Sequence, residues 1–516
     1  MSRAVSLRQS MAWLHTWGSI WVCWLLYIIF VCGTLSVFEG PITRWMEPER
    51  RAEPEFVPDR SAVVRAAQAY LQREAATSSF WSIAMPADDH PHVRALWQDG
   101  LGRPRVTPLD PMTGEPLKQA EVRNTQGGHH FVRMHYGFQA GSAGVWLAGF
   151  ATMAMLVALV SGVIIHKRIF KDFFTFRPNK GQRSWLDAHN AVAVLSLPFQ
   201  LMIAYTGLVV FYWIYVPAPI AAAYPTSDAY FAELLSRPVA RPHRHTAAPL
   251  MPLDALLEDA ERTLGRRASF VVVERPGDAS AVVRVFGPFD EGDDEPVKDR
   301  TFAPPSGGSM LYDGVTGQVL DARLPRTERG GLAVKAQQIL TALHEAEFGG
   351  AAVRWAYVLL GTAGAAMMAS GAVLFVVKRR QKSLREFGNA TPAMYRFIEA
   401  MNIGVVSGLC VASVAFLWAN RLLPAGLSHR AGWEIASYFG VWGLAILHAG
   451  LRHPARAWKE QWGAVAALCL LLPVVNEAAT GQNLFLYWRA GDSERLGVEL
   501  TALTMGLICV WASRRS

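Results

Sequence analysis

AGVWLAGFATMAMLVALVSGVII, residues 143–165, has no charged side chain in 23 positions. An α-helix needs about 20 apolar residues to cross the hydrocarbon core of a bilayer. The segment therefore predicts a membrane-spanning helix. His166, Lys167 and Arg168 follow it directly, and such polar residues mark the point where a helix leaves the membrane.

Seven further apolar segments along the chain are candidates for membrane spans. They cover residues 11–38, 191–216, 352–377, 403–419, 433–451, 462–475 and 496–512. Segment 462–475 is short, so the sequence predicts eight spans, with seven as the alternative. Segment 11–38 is longer than the ~7–15 apolar residues of a secretory signal, and no small-residue cleavage site follows it. We therefore expect it to remain as a membrane anchor.

The composition agrees with a membrane protein. Of 516 residues, 51% are hydrophobic and only 18% are charged, which is too apolar for a soluble chain of this length. All five cysteines fall within predicted spans, which argues against a disulfide framework and against cysteine-ligated zinc. The lipid bilayer is therefore the first expected partner.

Basic residues are concentrated in the loops that follow the second, fourth and sixth predicted spans. Lys167 and Arg168 lie in the first of these loops, Arg379 and Arg380 in the second, and Arg452 in the third. By the positive-inside rule these loops and the N-terminus are cytoplasmic. The net charge of +8 then reflects orientation in the membrane, and no nucleic-acid partner is expected.

This topology exports two long segments, residues 39–142 and 217–350, each large enough for a small folded domain. The other predicted regions are 1–38 with the first span, 143–216 with the next two, 351–385 with the fourth, and 386–516 with about four further spans. The predicted fold is thus mainly α and polytopic, with two small exported domains.

The two exported segments share a helix and a turn pattern. Residues 61–71 and 253–264 each predict a helix, and residues 110–117 and 313–320 share the pattern Asp-x-x-Thr-Gly-x-x-Leu. This pattern favours a hairpin, because glycine tolerates positive φ and aspartate caps the turn. Residues 270–274 and 281–286 predict two strands. Each exported segment is therefore expected to be an α+β domain, a helix packed on a small antiparallel sheet.

Five histidines fall near the ends of predicted spans, at two depths in the membrane. His15, His166 and His189 share the cytoplasmic side, whereas His135 and His344 share the exported side. An ionisable side chain in a membrane segment costs free energy unless it is paired or liganded, so these positions indicate function. A lone histidine at a helix end is usually only interfacial, but five at matching depths favour metal ligands.

Two imidazoles from neighbouring helices can ligate the iron of one haem from both sides, which leaves no open position for a substrate. Such a haem transfers electrons. The sequence therefore predicts two haem sites, with iron bound by His15 and His189 on the cytoplasmic side and by His135 and His344 on the exported side. His166 is an alternative inner ligand or a partner of a haem propionate.

Residues around the histidines fit this prediction. Asp187 and Asn190 are placed to orient His189 through its second ring nitrogen. Small residues would let helices, or a flat macrocycle, approach closely, and those in the predicted spans include Gly18, Gly33, Gly162, Gly207 and Gly371.

The sequence has no Walker-type phosphate loop, no dinucleotide fingerprint and no nucleophile elbow. A soluble flavin or nicotinamide domain is therefore not predicted. The electrons are expected to come from membrane quinol or from a separate cytoplasmic donor.

Several of these motifs resemble the PepSY-associated transmembrane (PepSY-TM) family, bacterial inner-membrane proteins that are often linked with iron uptake. The motifs are Leu14-His15-Thr16-Trp17-Gly18, residues 165–178, Asp187-Ala188-His189-Asn190 with Pro198, Tyr205-Thr206-Gly207, and His344 with Phe348-Gly349-Gly350. The resemblance covers roughly residues 10–385, and the two exported segments look like PepSY domains, most clearly at residues 312–320.

The resemblance implies a four-helix core that binds b-type haem, two PepSY-like periplasmic domains, and an inner-membrane location. It also implies an oxidoreductase that reduces ferric iron or ferric siderophores in the periplasm. Two alternatives stay open: a haem-free regulatory or interaction protein of the envelope, and a transporter subunit for iron complexes. Few charged residues interrupt the spans, which weakens the transporter alternative. The spans after residue 385 are outside the family pattern.

Overall fold

The structure is a computed structural model, and in the part of the chain that it describes, eight apolar helices are long enough to cross a membrane. It describes residues 6–49, 59–86, 93–100, 103–110, 113–117, 123–165, 182–226, 230, 242–287, 308–324, 332–346, 348–379 and 391–515. The protein is therefore a mainly helical, multi-pass membrane protein, and the prediction of eight spans is confirmed.

Helices make up most of the described chain, and short strands lie between them. The helices are α1 Leu7–Ser36, α2 Glu39–Met46, α3 Arg60–Glu74, α4 His129–Gly137, α5 Gly141–Ile165, α6 Gln182–Val210, α7 Tyr212–Tyr215, α8 Ala218–Ala223, α9 Leu253–Leu264, α10 Leu332–Glu345, α11 Gly350–Arg379, α12 Thr391–Leu422, α13 Arg430–Leu451, α14 Pro454–Thr480, α15 Leu484–Ala490 and α16 Ser493–Arg515. The strands are β1 Phe80–Ala84, β2 Val93–Gln98, β3 Pro104–Leu109, β4 Phe270–Glu274, β5 Val282–Phe286, β6 Ser309–Asp313 and β7 Val319–Arg323.

The chain divides into two compact units, a membrane unit and an extramembrane unit. The membrane unit contains residues 1–50, 122–216 and 340–516, and the extramembrane unit contains residues 51–121 and 217–339. In the membrane unit we call the end at which α1 begins the first face, and the end at which α1 finishes the second face. The spans α1 and α6 run from the first face to the second, and α5 and α11 run back.

Four helices form the N-terminal core of the membrane unit. Helix α1 packs against α5 and α11, and α6 packs against the same two helices, which closes a ring of four. Apolar side chains from all four helices are buried between them, among them Leu26, Met155, Ala204 and Met368. Since helices gain little from hydrophobic burial in lipid, such a ring depends on close packing and on polar contacts between helices.

The remaining spans pack on one side of this ring. Helix α12 lies against α1 and α11, and it also packs against α13 and α14, while α16 packs against α14. Two hydrogen bonds join α1 to α12 within the membrane. The Tyr27 hydroxyl donates to the Val406 carbonyl over 3.0 Å, and Trp24 Nε1 donates to Asn402 Oδ1 over 2.8 Å.

A network of buried charges joins the C-terminal spans to the N-terminal part at the second face. Arg430 and Glu434 of α13 form an ion pair whose two side chains are fully buried. The guanidinium of Arg421 lies 3.7 Å from the centre of the Trp45 ring, and Trp45 Nε1 donates to Glu499 over 3.1 Å. Buried charges are stable only when they are paired in this way, so the network holds the two parts in one arrangement.

The extramembrane unit contains one antiparallel sheet with the strand order β3-β2-β1-β4-β5-β6-β7. Helices α3 and α9 pack together, and the Arg60–Glu261 ion pair, with atoms 2.7 Å apart, connects them. Val271, Val273 and Val285 are fully buried in the core of this unit. The strands alternate buried and partly exposed residues, as expected for a sheet covered on one face.

The two segments that we expected to form separate sheets share this single sheet. Strands β1 and β4 pair over five residues, with Ser82 opposite Val272 at the centre. Each segment alone would leave one of these strands as an open edge, and unpaired edges tend to find another strand. Pairing β1 with β4 removes both edges.

The shared turn pattern has the same geometry in both segments. Gly114 and Gly317 have positive φ of 70° and 74°, and each donates its N–H to the carbonyl of the turn aspartate over 2.9 Å. The carboxylates of Asp110 and Asp313 each accept from the backbone N–H three residues later, also over 2.9 Å. The two halves of the sheet are therefore built on one local plan.

Candidate functional site

Four of the five predicted site histidines lie at the two ends of the four-helix ring. His15 in α1 and His189 in α6 are at the first face, and His135 in α4 and His344 in α10 are at the second. His166 lies outside the described residues. All four described histidines are half-buried.

The first-face histidines line one cavity of about 320 Å³ between α1, α5, α6 and α11. Ligand sites in proteins usually enclose about 300–1,000 Å³. Most of the lining is apolar, but Thr16, Ser19 and Asn190 contribute polar groups. The Ser19 hydroxyl is buried without a hydrogen-bond partner among the described residues. A buried polar group normally has a partner, so this hydroxyl indicates that a further group belongs in the cavity.

The imidazoles in this cavity are held in the same way by neighbouring helices. Nδ1 of His15 lies 2.9 Å from the Ala158 carbonyl, and Nδ1 of His189 lies 3.1 Å from the Met367 carbonyl. A carbonyl oxygen only accepts, so Nδ1 carries the proton in both rings. This assignment leaves the lone pair on Nε2, the nitrogen that then binds a metal.

The second-face histidines face each other directly. The ring centres of His135 and His344 are 5.8 Å apart, and their planes are inclined by 29°. Two imidazole–metal bonds of ~2.1 Å on opposite sides of one ion, with ~1.1 Å from each nitrogen to its ring centre, would place the centres about 6.4 Å apart. The observed 5.8 Å is ~0.6 Å shorter than that separation, so a metal ion between the rings would require the two side chains to move slightly apart.

The second-face imidazoles are also held through Nδ1. Nδ1 of His135 donates to the Ile29 carbonyl over 2.8 Å, and Nδ1 of His344 donates to the Thr206 hydroxyl over 3.1 Å. Burial lowers the pKa of His135, and burial together with the neighbouring His135 lowers the pKa of His344 to about 3. Both rings are therefore neutral at physiological pH, which is the state that binds a metal.

Each of the four rings lies against a glycine of a neighbouring helix. A Cβ on Gly162 or Gly371 would come within 3.3 Å and 3.2 Å of His15 and His189, respectively. At the second face the fit is tighter: a Cβ on Gly33 would lie 2.6 Å from His135, and one on Gly207 would lie 2.8 Å from His344. Four of the five glycines singled out in the sequence thus leave room for a histidine ring, because they have no side chain. A Cβ on Gly18 would instead meet the Leu14 side chain at 3.7 Å.

The two halves of the ring repeat the same spacings. His15 and Gly33 are 18 residues apart on α1, as are His189 and Gly207 on α6. His135 and Gly162 are 27 residues apart, as are His344 and Gly371. Since an α-helix rises 1.5 Å per residue, 18 residues correspond to about 27 Å, close to the ~30 Å hydrocarbon core of a bilayer. The two histidine pairs therefore lie near opposite faces of the membrane.

The sequence predicts no role for the hydroxyl groups beside the histidines, although Thr206 lies in the motif Tyr205-Thr206-Gly207. Ser161 and Ser370 place their hydroxyls 3.2 Å from Nδ1 of His15 and His189, and Thr206 plays this part for His344. Each precedes its glycine directly. The dipeptides Cys32-Gly33, Ser161-Gly162, Thr206-Gly207 and Ser370-Gly371 all lie within spans, and this repetition is the signal that would have identified them.

The other histidines have different surroundings. His130 is fully buried, stacks on Phe416 with ring centres 4.4 Å apart, and accepts at Nδ1 from Gln139. His243 and His245 lie side by side in the extramembrane unit. Among the described residues no group of three or more His, Cys, Asp or Glu side chains is placed to hold a bare metal ion.

The histidine pairs can hold a metal that brings further ligands of its own. Haem fits this requirement, because its macrocycle supplies four nitrogens and each histidine pair would supply the two remaining ligands. Neutral imidazoles with a fixed tautomer, glycines that admit a flat group, and an apolar cavity with a few polar groups are all present. A haem held by both histidines of a pair would have no open position for a substrate, and it would supply one-electron chemistry.

Comparison with known proteins places these residues in a family context. The family described as the PepSY-associated TM region matches residues 12–378, a range that contains all four described histidines. An uncharacterised protein of Pseudomonas aeruginosa is 24% identical over 401 residues, which cover 75% of this chain and 94% of that protein. Because the family match covers well over half of the sequence, the chain belongs to the PepSY-associated transmembrane family.

Proposed function

We propose that the protein transfers electrons across the membrane through two b-type haems, one held by His15 and His189 and the other by His135 and His344. The observation that carries this proposal is the repeated arrangement of the four rings, each fixed through Nδ1 and seated on a glycine. A histidine that only lies at the membrane interface requires neither a fixed Nδ1 hydrogen bond nor a glycine on the facing helix.

The direction of transfer follows from the proposed orientation. The segments between α5 and α6 and after α11 are rich in Lys and Arg, which supports a cytoplasmic first face and an inner-membrane location. Electrons from quinol or a cytoplasmic donor would then pass from the first-face haem to the second-face haem. The terminal acceptor in this proposal is periplasmic ferric iron, free or bound in a siderophore.

The residues of the chain have defined roles in this proposal. The histidine pairs would hold the haems, which would supply one-electron chemistry, and the carbonyl and hydroxyl acceptors on Nδ1 keep Nε2 free to bind a metal. The mostly apolar lining of the first-face cavity suits the apolar macrocycle of a haem. His166 stays a predicted alternative ligand at the first face or a propionate partner.

A difference spectrum of the reduced and oxidised protein, with haem counted per chain, tests the proposal. We expect two low-spin haems in the parent, loss of one in His344→Ala, and loss of the other in His15→Ala. His129→Ala is a matched control, since His129 is an exposed residue of α4 paired with Glu39. A colourless parent after haem-replete expression would instead favour the haem-free interaction protein, and unchanged spectra in both variants would contradict the ligand assignment.

A further inference from the structure

The four histidines differ in the groups that accept the Nδ1 proton. At the first face, each Nδ1 lies beside a helix carbonyl and a serine hydroxyl, 2.9 and 3.2 Å away for His15 and 3.1 and 3.2 Å away for His189. The hydroxyls of Ser161 and Ser370 themselves donate to the carbonyls of Ala158 and Met367, each over 3.0 Å. Their lone pairs therefore face the imidazole, and each first-face N–H is shared between two acceptors.

At the second face this pattern is kept for one histidine. The Thr206 hydroxyl donates to the Met202 carbonyl over 2.8 Å, so its lone pair accepts from Nδ1 of His344 over 3.1 Å. The backbone of Ile203, four residues before Gly207, also contacts this imidazole. His344 thus has the same kind of support as the first-face histidines.

His135 lacks the hydroxyl. The residue before Gly33 is Cys32, which occupies the position of Ser161, Ser370 and Thr206 in the repeat. Its thiol faces the Tyr438 hydroxyl, in a contact without the geometry of an ordinary hydrogen bond. Among the described residues the Ile29 carbonyl, at 2.8 Å, is the sole acceptor for Nδ1 of His135. This bond is only 0.1 Å shorter than the carbonyl bond of His15, whereas one whole acceptor is missing.

Acceptors on Nδ1 change the strength of a histidine ligand. An acceptor draws the Nδ1 proton away from the ring, which makes the imidazole a stronger electron donor at Nε2. Stronger donation stabilises the oxidised, more positively charged iron, so the reduction potential falls. A site with two doubly supported histidines is therefore harder to reduce than one in which a histidine has a single acceptor.

We infer that Ser161, Ser370 and Thr206 are positioning residues that set unequal reduction potentials, and that Cys32 makes the second-face site the more oxidising of the two. This inference rests on the proposed haem function. It gives the transfer a built-in direction, because electrons move spontaneously from the first-face site to the second-face site.

Redox titration of each haem in the purified full-length protein tests the inference. Single-site variants that lack His15 or His344 assign the two signals. In the parent we expect the second-face haem to have the higher midpoint potential. Cys32→Ser supplies the missing hydroxyl and should lower only that potential, whereas Ser161→Ala and Ser370→Ala should raise only the first-face potential. A threefold to tenfold change in the reduction equilibrium is expected for each variant, where tenfold equals ~59 mV for one electron.

Thr152→Val is a matched control. The Thr152 hydroxyl of α5 also donates to a helix carbonyl, that of Ala148 at 2.8 Å, and among the described residues it makes no hydrogen bond to a histidine. Both potentials should be unchanged in this variant. The inference would be wrong if both midpoint potentials were unchanged in Cys32→Ser, Thr206→Val and the two serine variants. The proposed haem function would still stand in that case. A colourless parent protein would overturn both.

Discussion

At the level of single residues, the glycines under the histidines are the most constrained positions of the site. A Cβ on Gly33 or Gly207 would come within 2.8 Å of the imidazole it faces, which side chains do not tolerate, whereas Gly162 and Gly371 would meet their rings at 3.2 Å or more. We expect Gly33→Ala and Gly207→Ala to displace the second-face rings and to remove most of that haem. Gly162→Ala and Gly371→Ala should lose less of the first-face haem.

Haem content and the low-spin spectrum of each variant check this order. Gly18→Ala is the control, because a Cβ there would lie at an ordinary 3.7 Å from Leu14. Equal haem loss at all four histidine-facing glycines would show that the contact distances do not decide occupancy.

His130 gives the protein a sensitivity to acid. Burial, assisted by the positive charge of Arg133, lowers the pKa of this fully buried ring from 6.5 to about 3. Between these pH values the unfolded chain binds a proton that the folded chain does not, so stability falls as the pH drops from 6.5 to 3. The slope for one such group is at most ~1.4 kcal/mol per pH unit.

Thermal unfolding in detergent at several pH values tests this prediction. His130 packs against the rings of Phe416 and Tyr438, so His130→Phe keeps the packing and removes the titrating group. The variant should unfold with a shallower pH dependence below 6.5. The same steepness as in the parent would assign the acid sensitivity to other groups.

The histidines could be found from the sequence because an ionisable residue in an apolar segment stands out. Ser161, Thr206 and Ser370 could not be found in this way, since a hydroxyl in a span usually bonds its own helix. The identity of the acceptor on each Nδ1 also depends on how neighbouring helices pack, and that is a property of the folded chain.

At the level of elements, the pairing of β1 with β4 joins two segments that are far apart in the sequence. Val272 is at the centre of this pairing, opposite Ser82 in β1, and it also pairs with Arg284 in β5. Val272→Pro removes a backbone donor from a central strand and should cost ~3 kcal/mol or more. We expect faster proteolysis of the extramembrane unit.

Val319→Pro serves as the comparison, because Val319 is the exposed first residue of the edge strand β7, where proline is tolerated. Limited proteolysis of both variants in intact protein shows the difference. Equal protection of Val272→Pro and the parent would mean that the sheet does not depend on the β1–β4 pairing.

The individual strands and hairpins follow from local sequence, whereas the β1–β4 pairing does not. The alternation of apolar and polar residues and the turn residues are short-range signals. They do not specify which edge strand of one segment pairs with which edge strand of the other. The shortest predicted span is a related case. Segment 462–475 is the middle of α14, whose flanks contain Lys459, Glu460 and Glu477. Because of these charges, a search for continuous apolar residues finds only the middle of this 27-residue helix.

At the level of the whole molecule, buried charges lie where the C-terminal spans meet the N-terminal part, and their pairing contributes to stability. Arg430 and Glu434 have no exposed side-chain surface. Removal of one partner leaves the other charge buried and alone, which typically costs ~3–5 kcal/mol. We expect Glu434→Leu and Arg430→Met each to lower the unfolding temperature markedly, and the double variant to lose less than the sum.

Thermal unfolding in detergent measures these effects. Arg452→Met is the control, since the Arg452–Glu460 pair is largely exposed and its loss should change little. A double variant whose loss equals the sum of the single losses would show that the two charges do not stabilise each other.

The equal spacings in the two halves have a consequence for how the protein can be assembled. Each half contributes one imidazole to each pair, so neither half alone contains a complete pair. Both halves cross the membrane twice and therefore insert with the same orientation. The N-terminal core therefore has an approximate two-fold symmetry that relates α1 and α5 to α6 and α11, as in a dimer whose subunits are joined in one chain. The serines Ser161 and Ser370 keep this symmetry, whereas Cys32 and Thr206, which occupy the other pair of related positions, break it.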